Sequence, residues 1–253
     1  MDPILIAAVV FAFTFGGSLL GMWLRWKLPE HHLSDATKDT VKLGIGMVAT
    51  MTALVLGLVT ASAKNSFDSV DSAVKHTAID LLTLDRLLAR YGPEAAPMRA
   101  ALKATVGRKI EQVWPRDASK PVQVDPVQSG TAVEGLVEGI RALSPRDDAQ
   151  RRLQSRALDL GESLLTARWL AVADQSTSIP FAFLVVLLFW LMIIFASFGL
   201  FAPRNATVVV VLVLCALSVA GAVFLVLEMD RPLEGLIKVS PDPLRYAFAK
   251  LNT

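Results

Sequence analysis

The feature that most constrains this chain is a set of long uncharged runs. Ile4–Leu24, Phe181–Phe201 and Ala206–Leu227 each hold about 20 residues with no acidic or basic side chain, the length a helix needs to cross a roughly 30 Å hydrocarbon core. Leu43–Ala63 is a fourth run, diluted by Gly, Ala, Thr and Ser but also free of charge. A backbone inside a bilayer has to satisfy its own N–H and C=O groups, and a single segment does that only as a helix. Four transmembrane helices are therefore expected. The hydrophobic share, 53% of 253 residues, agrees with a membrane protein and not with a soluble domain of this size.

The first run reads as an uncleaved span and not as a secretory signal. Asp2 precedes it where a signal would carry basic residues, and Trp23-Leu24-Arg25-Trp26-Lys27 closes it with interfacial anchors. The single cysteine, Cys215, lies inside the last run, so no intrachain disulfide is available and no Cys/His zinc spacing exists. A net charge of +2, with no basic patch interleaved by aromatics, gives no sign of nucleic-acid binding.

Between the second and third runs lies a long hydrophilic segment, and its apolar spacing is helical throughout. Phe67, Val70, Val74, Ala78, Leu81, Leu84 and Leu88 step by 3 and 4 along one face. Nothing between Gly57 and Gly92-Pro93 breaks the chain, so the second span is expected to continue out of the membrane as a wall of a soluble bundle. A further helix is expected at 94–113, with Met98, Leu102, Val106, Ile110 and Val113 inward. The proline-rich stretch 115–128 reads as a loop, and a short helix at 131–143 follows. Ser144 reads as an N-cap with Pro145 at the first helical position, launching a helix to about Gln175. Pro203-Arg204-Asn205 is short enough only for a turn between the last two spans. No alternating strand pattern occurs.

The expected fold is therefore all-α, with four transmembrane helices and a helical extramembrane bundle inserted between the second and third. The expected divisions are 1–63, 64–179, 180–228 and a tail from 229 to 253. Short-loop positive charges number five on one side (Arg25, Lys27, Lys38, Lys42, Arg204). The other side has seven (Lys64, Lys75, Arg168, Arg231, Lys238, Arg245, Lys250). The excess places the large segment and the tail in the cytoplasm.

Few residues offer chemistry. No G-x-S-x-G, P-loop, H-E-x-x-H or Gly-rich dinucleotide turn occurs, so neither an enzyme nor a cofactor is expected. The core of each span lacks an acidic or basic side chain, which argues against a proton-coupled transporter. His31 and His32 sit in LPEHHLSD without two further ligands at suitable spacing, so no metal site is expected; His76 and Asp80 read as a surface pair. The informative pattern is in the second span. Gly46, Thr50, Ala53, Gly57, Thr60 and Lys64 recur at alternate steps of 4 and 3 and share one face. Such a stripe can let another helix approach closely or can face a pore axis, where hydroxyls touch ions. Beyond it come Lys64, Asn65, Asp68 and Asp71, a composition that suits a pore mouth and equally any helix entering water. Asp71 and Lys75 are spaced to pair along the helix.

Four blocks of sequence carry a resemblance: LPEHHLS (28–34), GMVATMTALVLGLVTASAKNSFD (46–68), LLTLDRLLARYGPE (81–94) and LEMDRPLEGLIKVSPDPL (227–244). On these the chain resembles the bestrophin-like membrane proteins of bacteria, a family whose function is not established. The resemblance implies residence in the bacterial inner membrane. Bestrophins proper are pentameric anion channels whose second helix lines the pore, so it also implies a homo-oligomer, with five copies as the precedent. Two departures limit what carries over. No aromatic residue lies between Gly44 and Asn65, where bestrophin pores have aromatics at the neck. The tail offers only Glu228, Asp230 and Glu234 in place of a dense acidic calcium-binding run.

The resulting expectation is a homo-oligomeric ion channel in the lipid bilayer, with ions as its cargo. Gly57 and Thr60 would form the constriction, Thr50 would lie deeper, and Lys64, Asn65, Asp68 and Asp71 would form the mouth. The alternative is a non-conducting membrane anchor, a scaffold or sensor, that binds a partner through its helical domain. The tail is expected to pack near Lys64–Asp71, with Arg231 or Lys238 beside Asp68 or Asp71.

Overall fold

The computed structural model describes residues 2–29, 35–115, 126–174, 181–203, 205–233 and 235–253, with the side chains of 36, 126–131, 168–174 and 181 left out of the description. The fold is all-α, and no strand occurs among the described residues. The helices are α1 (Pro3–Lys27), α2 (Asp35–Tyr91), α3 (Ala96–Val113), α4 (Pro126–Arg141), α5 (Asp148–Asp174), α6 (Phe181–Phe201), α7 (Ala206–Met229) and α8 (Asp242–Lys250). The chain divides into two compact units. One is Met1–Phe67 with Ser178–Arg231, and the other is Asp68–Thr177 with Pro232–Thr253.

In the first unit, α1 is capped by Asp2, whose carboxylate accepts from Ile4 N at 3.0 Å, with Pro3 at the first helical position. It packs against both α6 and α7. The contact with α6 is backbone on backbone: a Cβ added at Gly21 would lie 1.9 Å from the Ala196 carbonyl oxygen, and one at Gly199 would lie 1.9 Å from that of Ser18. Lipid tails are as apolar as leucine, so close packing of small residues is what holds helices together there. Thr14 and Ser18 are buried, and their hydroxyls donate to the carbonyls of Val10 (2.8 Å) and Thr14 (3.3 Å) within the helix. Beside this seam, Val10, Leu187, Leu191, Ala220, Val223 and Leu227 form a buried apolar cluster. At one end of α1, Lys27 Nζ sits 4.5 Å from the Trp23 ring centroid, and the Arg25 guanidinium donates to the Ala202 carbonyl beyond α6.

The second unit is a soluble-type bundle. Ala78, Leu81, Leu84 and Leu88 of α2 meet Leu102, Val106 and Ile110 of α3, Leu136 and Ile140 of α4, and Ala157 and Leu164 of α5. Asp85, 1% exposed, lies within this core, and Arg99 clamps it with Nε and Nη2 at 2.8 and 2.9 Å. The hydrogen bonds to Asp85 raise the pKa of Arg99, outweighing the opposing effect of burial. α2 ends at Gly92, whose φ of 132° and ψ of −177° only glycine adopts without strain. A 3-10 turn at Pro93–Ala95 then leads into α3.

Three sequence expectations need correction. α2 begins at Asp35, eight residues ahead of the uncharged run Leu43–Ala63, because Asp35–Lys38 (3.0 Å) and Asp39–Lys42 (3.7 Å) pair along its polar first turns. α4 begins at Pro126, so the expected loop at 115–128 gives way to helix over its last three residues; residues 116–125 lie outside the described residues. α5 begins at Asp148 and not at Pro145. Asp147 is the cap: its Oδ1 accepts from Gln150 N at 2.7 Å, and Gln150 Oε1 accepts from Arg146 N at 2.8 Å, a reciprocal arrangement close to a capping box.

The C-terminal tail from Pro232 belongs to the second unit. It contains α8, and Leu244, Ala247 and Leu251 enter the bundle core. Trp114 Nε1 donates to the Val239 carbonyl at 3.0 Å and Lys103 Nζ to the Leu251 carbonyl at 2.8 Å, so the tail lies along α3. Asp71 pairs with Lys75 at 2.6 Å, as their spacing along the helix leads one to expect. His31, His32, the junction 175–180 and Arg204 lie outside the described residues.

Candidate functional site

The four helices long and apolar enough to cross a membrane are α1, α2, α6 and α7. They are not equally covered by their own chain. In the most apolar window of α2 only 6% of residues are buried, against 22–28% in the other three. Between Leu43 and Lys64 only Thr52 and Ala63 are buried, while Val55 and Leu56 lean on the cluster of the first unit. The opposite side of α2 faces away from the rest of that unit.

The small-residue stripe lies on this uncovered side. Thr50, Ala53, Gly57, Thr60 and Lys64 are all exposed, as is Gly46. A Cβ at Gly46 or Gly57 would meet nothing within 4 Å. Thr50 Oγ1 donates to the Gly46 carbonyl at 2.9 Å and Thr60 Oγ1 to the Leu56 carbonyl at 2.7 Å. Each hydroxyl thereby spends its one proton on the helix and keeps its lone pairs for whatever lies outside.

Further along, Lys64 and Asn65 are exposed and belong to the first unit. Asp68, exposed, and Asp71, half-buried, belong to the second. All four stand within two turns of the unbroken α2. No group of three or more His, Cys, Asp or Glu side chains suited to a metal ion occurs among the described residues. Cys215 is exposed on α7.

A second stripe on α2 shows only in its exposure. Leu43, Met47, Leu54 and Leu58 are 78%, 69%, 74% and 67% exposed. Spaced by 4, 7 and 4, they form a second stripe beside the small one. The same 3.6-residue period that marks the glycines marks these residues; an apolar stripe in an apolar span simply draws no attention until its exposure is known.

A model of the Bestrophin-like domain matches residues 12–244. The chain belongs to the bestrophin-like family. Solved bacterial bestrophin homologues from Klebsiella pneumoniae share its fold. Two single-substitution forms superpose with TM-scores of 0.69 and 0.67, at 15% and 14% identity, covering 99% and 97% of this chain and 97% of each of theirs. A third superposes with a TM-score of 0.62 at 17% identity, covering 96% of this chain and 97% of that one. No curated protein matches the sequence significantly. As a bestrophin-like protein with four membrane-length helices, the chain is an integral membrane protein.

Proposed function

We propose that the protein is a homo-oligomeric ion channel of the bacterial inner membrane, with α2 lining the symmetry axis and the helical bundle in the cytoplasm. The observation that carries this reading is the uncovered side of α2, which its own chain leaves open over the whole membrane span. A membrane helix that packs so little of itself calls for further copies around it. In a ring of copies the part of the small stripe from Thr50 to Thr60 faces the axis, where Gly57 leaves room and the lone pairs of Thr50 and Thr60 offer weak, neutral contacts that let an ion leave as easily as it enters. The apolar stripe of Leu43, Met47, Leu54 and Leu58 then packs on the neighbouring copy. Lys64, Asn65, Asp68 and Asp71 provide the charged mouth. The bacterial bestrophin homologues of the same fold give the family precedent.

The test is reconstitution in liposomes, comparing wild type with Gly57→Leu. The Gly57 Cβ position is open in the chain itself, so the protomer tolerates leucine and any defect arises between copies. A pore-facing glycine predicts an unchanged oligomer by native mass spectrometry and lost ion flux. Loss of the oligomer would instead place Gly57 in a helix contact, as in a non-conducting scaffold or sensor. Wild-type flux no greater than that of protein-free liposomes would overturn the channel.

A further inference from the structure

The first unit carries a groove of about 560 Å³ that takes in Gly46, at the end of the small stripe, but none of the residues from Thr50 to Lys64. Its walls are Gly46 and Ala49 of α2, Phe198 and Phe201 of α6, and Val208 and Val211 of α7. All belong to membrane-length helices, so the groove lies in the bilayer, at the α2 end that starts near Asp35. Its lining is apolar apart from Lys42, Ser197 and Thr207.

Positive charge gathers at one end. Lys42, one turn before Gly46, lines the groove and is exposed. Arg25 reaches the same end, donating to the carbonyl of Ala202, another lining residue. The first turn of α7 opens there too, and the amide of Val208 is capped by Asn205 at 2.9 Å; a helix start adds partial positive charge. The opposing group is Asp39, exposed and 3.7 Å from Lys42 Nζ, too loose and too solvated to neutralise two cations.

An apolar channel in the hydrocarbon with cations at its surface end has the polarity of a phospholipid. We propose that the groove holds an acyl chain of one anionic phospholipid, whose phosphate sits between Lys42 and Arg25. Gly46 and Ala49 are what open it: larger side chains at these positions would fill the space beside Phe198 and Phe201. The assignment is independent of conduction, since a non-conducting member of the family would carry the same site.

Native mass spectrometry of the delipidated full-length assembly tests this, with dioleoyl phosphatidylglycerol and dioleoyl phosphatidylcholine as probes and glycerol 3-phosphate as the tail-free control. Wild type is expected to retain phosphatidylglycerol over phosphatidylcholine by about fivefold or more, the effect of one cation near a lipid phosphate, and to retain no glycerol phosphate. Lys42→Glu, a change at an exposed side chain, should abolish the preference. Gly46→Leu, where the added Cβ meets nothing within 4 Å, should reduce binding of both lipids with the oligomer mass unchanged. Equal retention of the two lipids by wild type, or wild-type retention in both variants, would overturn the proposal. So would a changed oligomer mass in Gly46→Leu, which would make the groove a seat for a second copy, and glycerol phosphate binding, which would make it a plain anion site.

Discussion

Replacing Gly21 by alanine adds one methyl group, and the α1–α6 seam has no room for it. The new Cβ would lie 1.9 Å from the Ala196 carbonyl oxygen, 2.8 Å from its carbon and 2.8 Å from the Leu200 nitrogen. All three are backbone atoms, so no rotamer change relieves the clash. Restoring ordinary contact at 3.4 Å requires the helices to part by about 1.5 Å at that level. A radial gap of 0.5–1 Å already forfeits about a quarter to a half of each dispersion contact. Overpacking in a well-packed core typically costs about 1–3 kcal/mol, and a backbone clash belongs at or above the top of that range. Gly16 is the control: it lies on the same helix, and its Cβ position meets nothing within 4 Å. Gly16→Ala should be neutral, or stabilising by up to about 1 kcal/mol through helix propensity. The assay is equilibrium unfolding of the full-length protein in mixed micelles, followed by the intrinsic fluorescence of its five tryptophans. The expected result is a Gly21→Ala midpoint well below both wild type and Gly16→Ala. Coincident midpoints for the two variants would refute the close approach.

In the soluble-type bundle, Asp85→Ala should destabilise by about 1–3 kcal/mol in urea titration, because it leaves the partly buried Arg99 guanidinium without its carboxylate partner; replacing both by leucine should recover most of that loss. Tyr91 is 3% exposed and its hydroxyl has no hydrogen-bond partner among the described residues. Tyr91→Phe should therefore be neutral or mildly stabilising at pH 7. Burial, reinforced by Glu94, raises the Tyr91 pKa above its ordinary 10.0. The unfolded chain thus ionises first, and the Tyr91 contribution is intact below about pH 10 and lost as the pH rises through the folded value. Tyr91→Phe should show a smaller drop in melting temperature than wild type between pH 9 and pH 11; equal drops would contradict the assignment.

The membrane helices were largely readable from hydropathy because length and charge alone define them: Phe181–Phe201 is α6 residue for residue, and α7 runs two residues past the expected Leu227. Hydropathy fails where a helix continues into water, which is why the start of α2 at Asp35 is invisible to it; ion pairs, not apolar spacing, support those turns. The cap at Asp147 competes with an equally plausible Ser144-Pro145, and only the observed hydrogen bond from Gln150 decides between them. α8 carries a legible pattern, Leu244, Ala247, Phe248 and Leu251, at a spacing that reads as helical. It passes unnoticed because a short amphipathic segment after a membrane span reads equally well as interfacial. In the candidate site, the composition of the small stripe was plain from sequence. Its exposure was not, since a stripe packed on α6 and one facing outward have the same letters. The seam at Gly17, Ser18 and Gly21 escaped for a related reason: small residues in an apolar run signal close packing only once a partner backbone is placed against them.

The docking of α8 has a consequence for biogenesis. Residues emerge from the ribosome in chain order, and domains generally fold as they are completed. Leu244, Ala247 and Leu251, at most 7% exposed, are integral to the core built by α2, α3, α4 and α5, yet they are translated only after α6 and α7. While those two helices are being synthesised and inserted, a nascent bundle with its core unfinished has to wait, its apolar surface open to chaperones or to misassociation. Completion of the bundle thus reports that the last membrane helix has already been made, a checkpoint written into the order of the sequence.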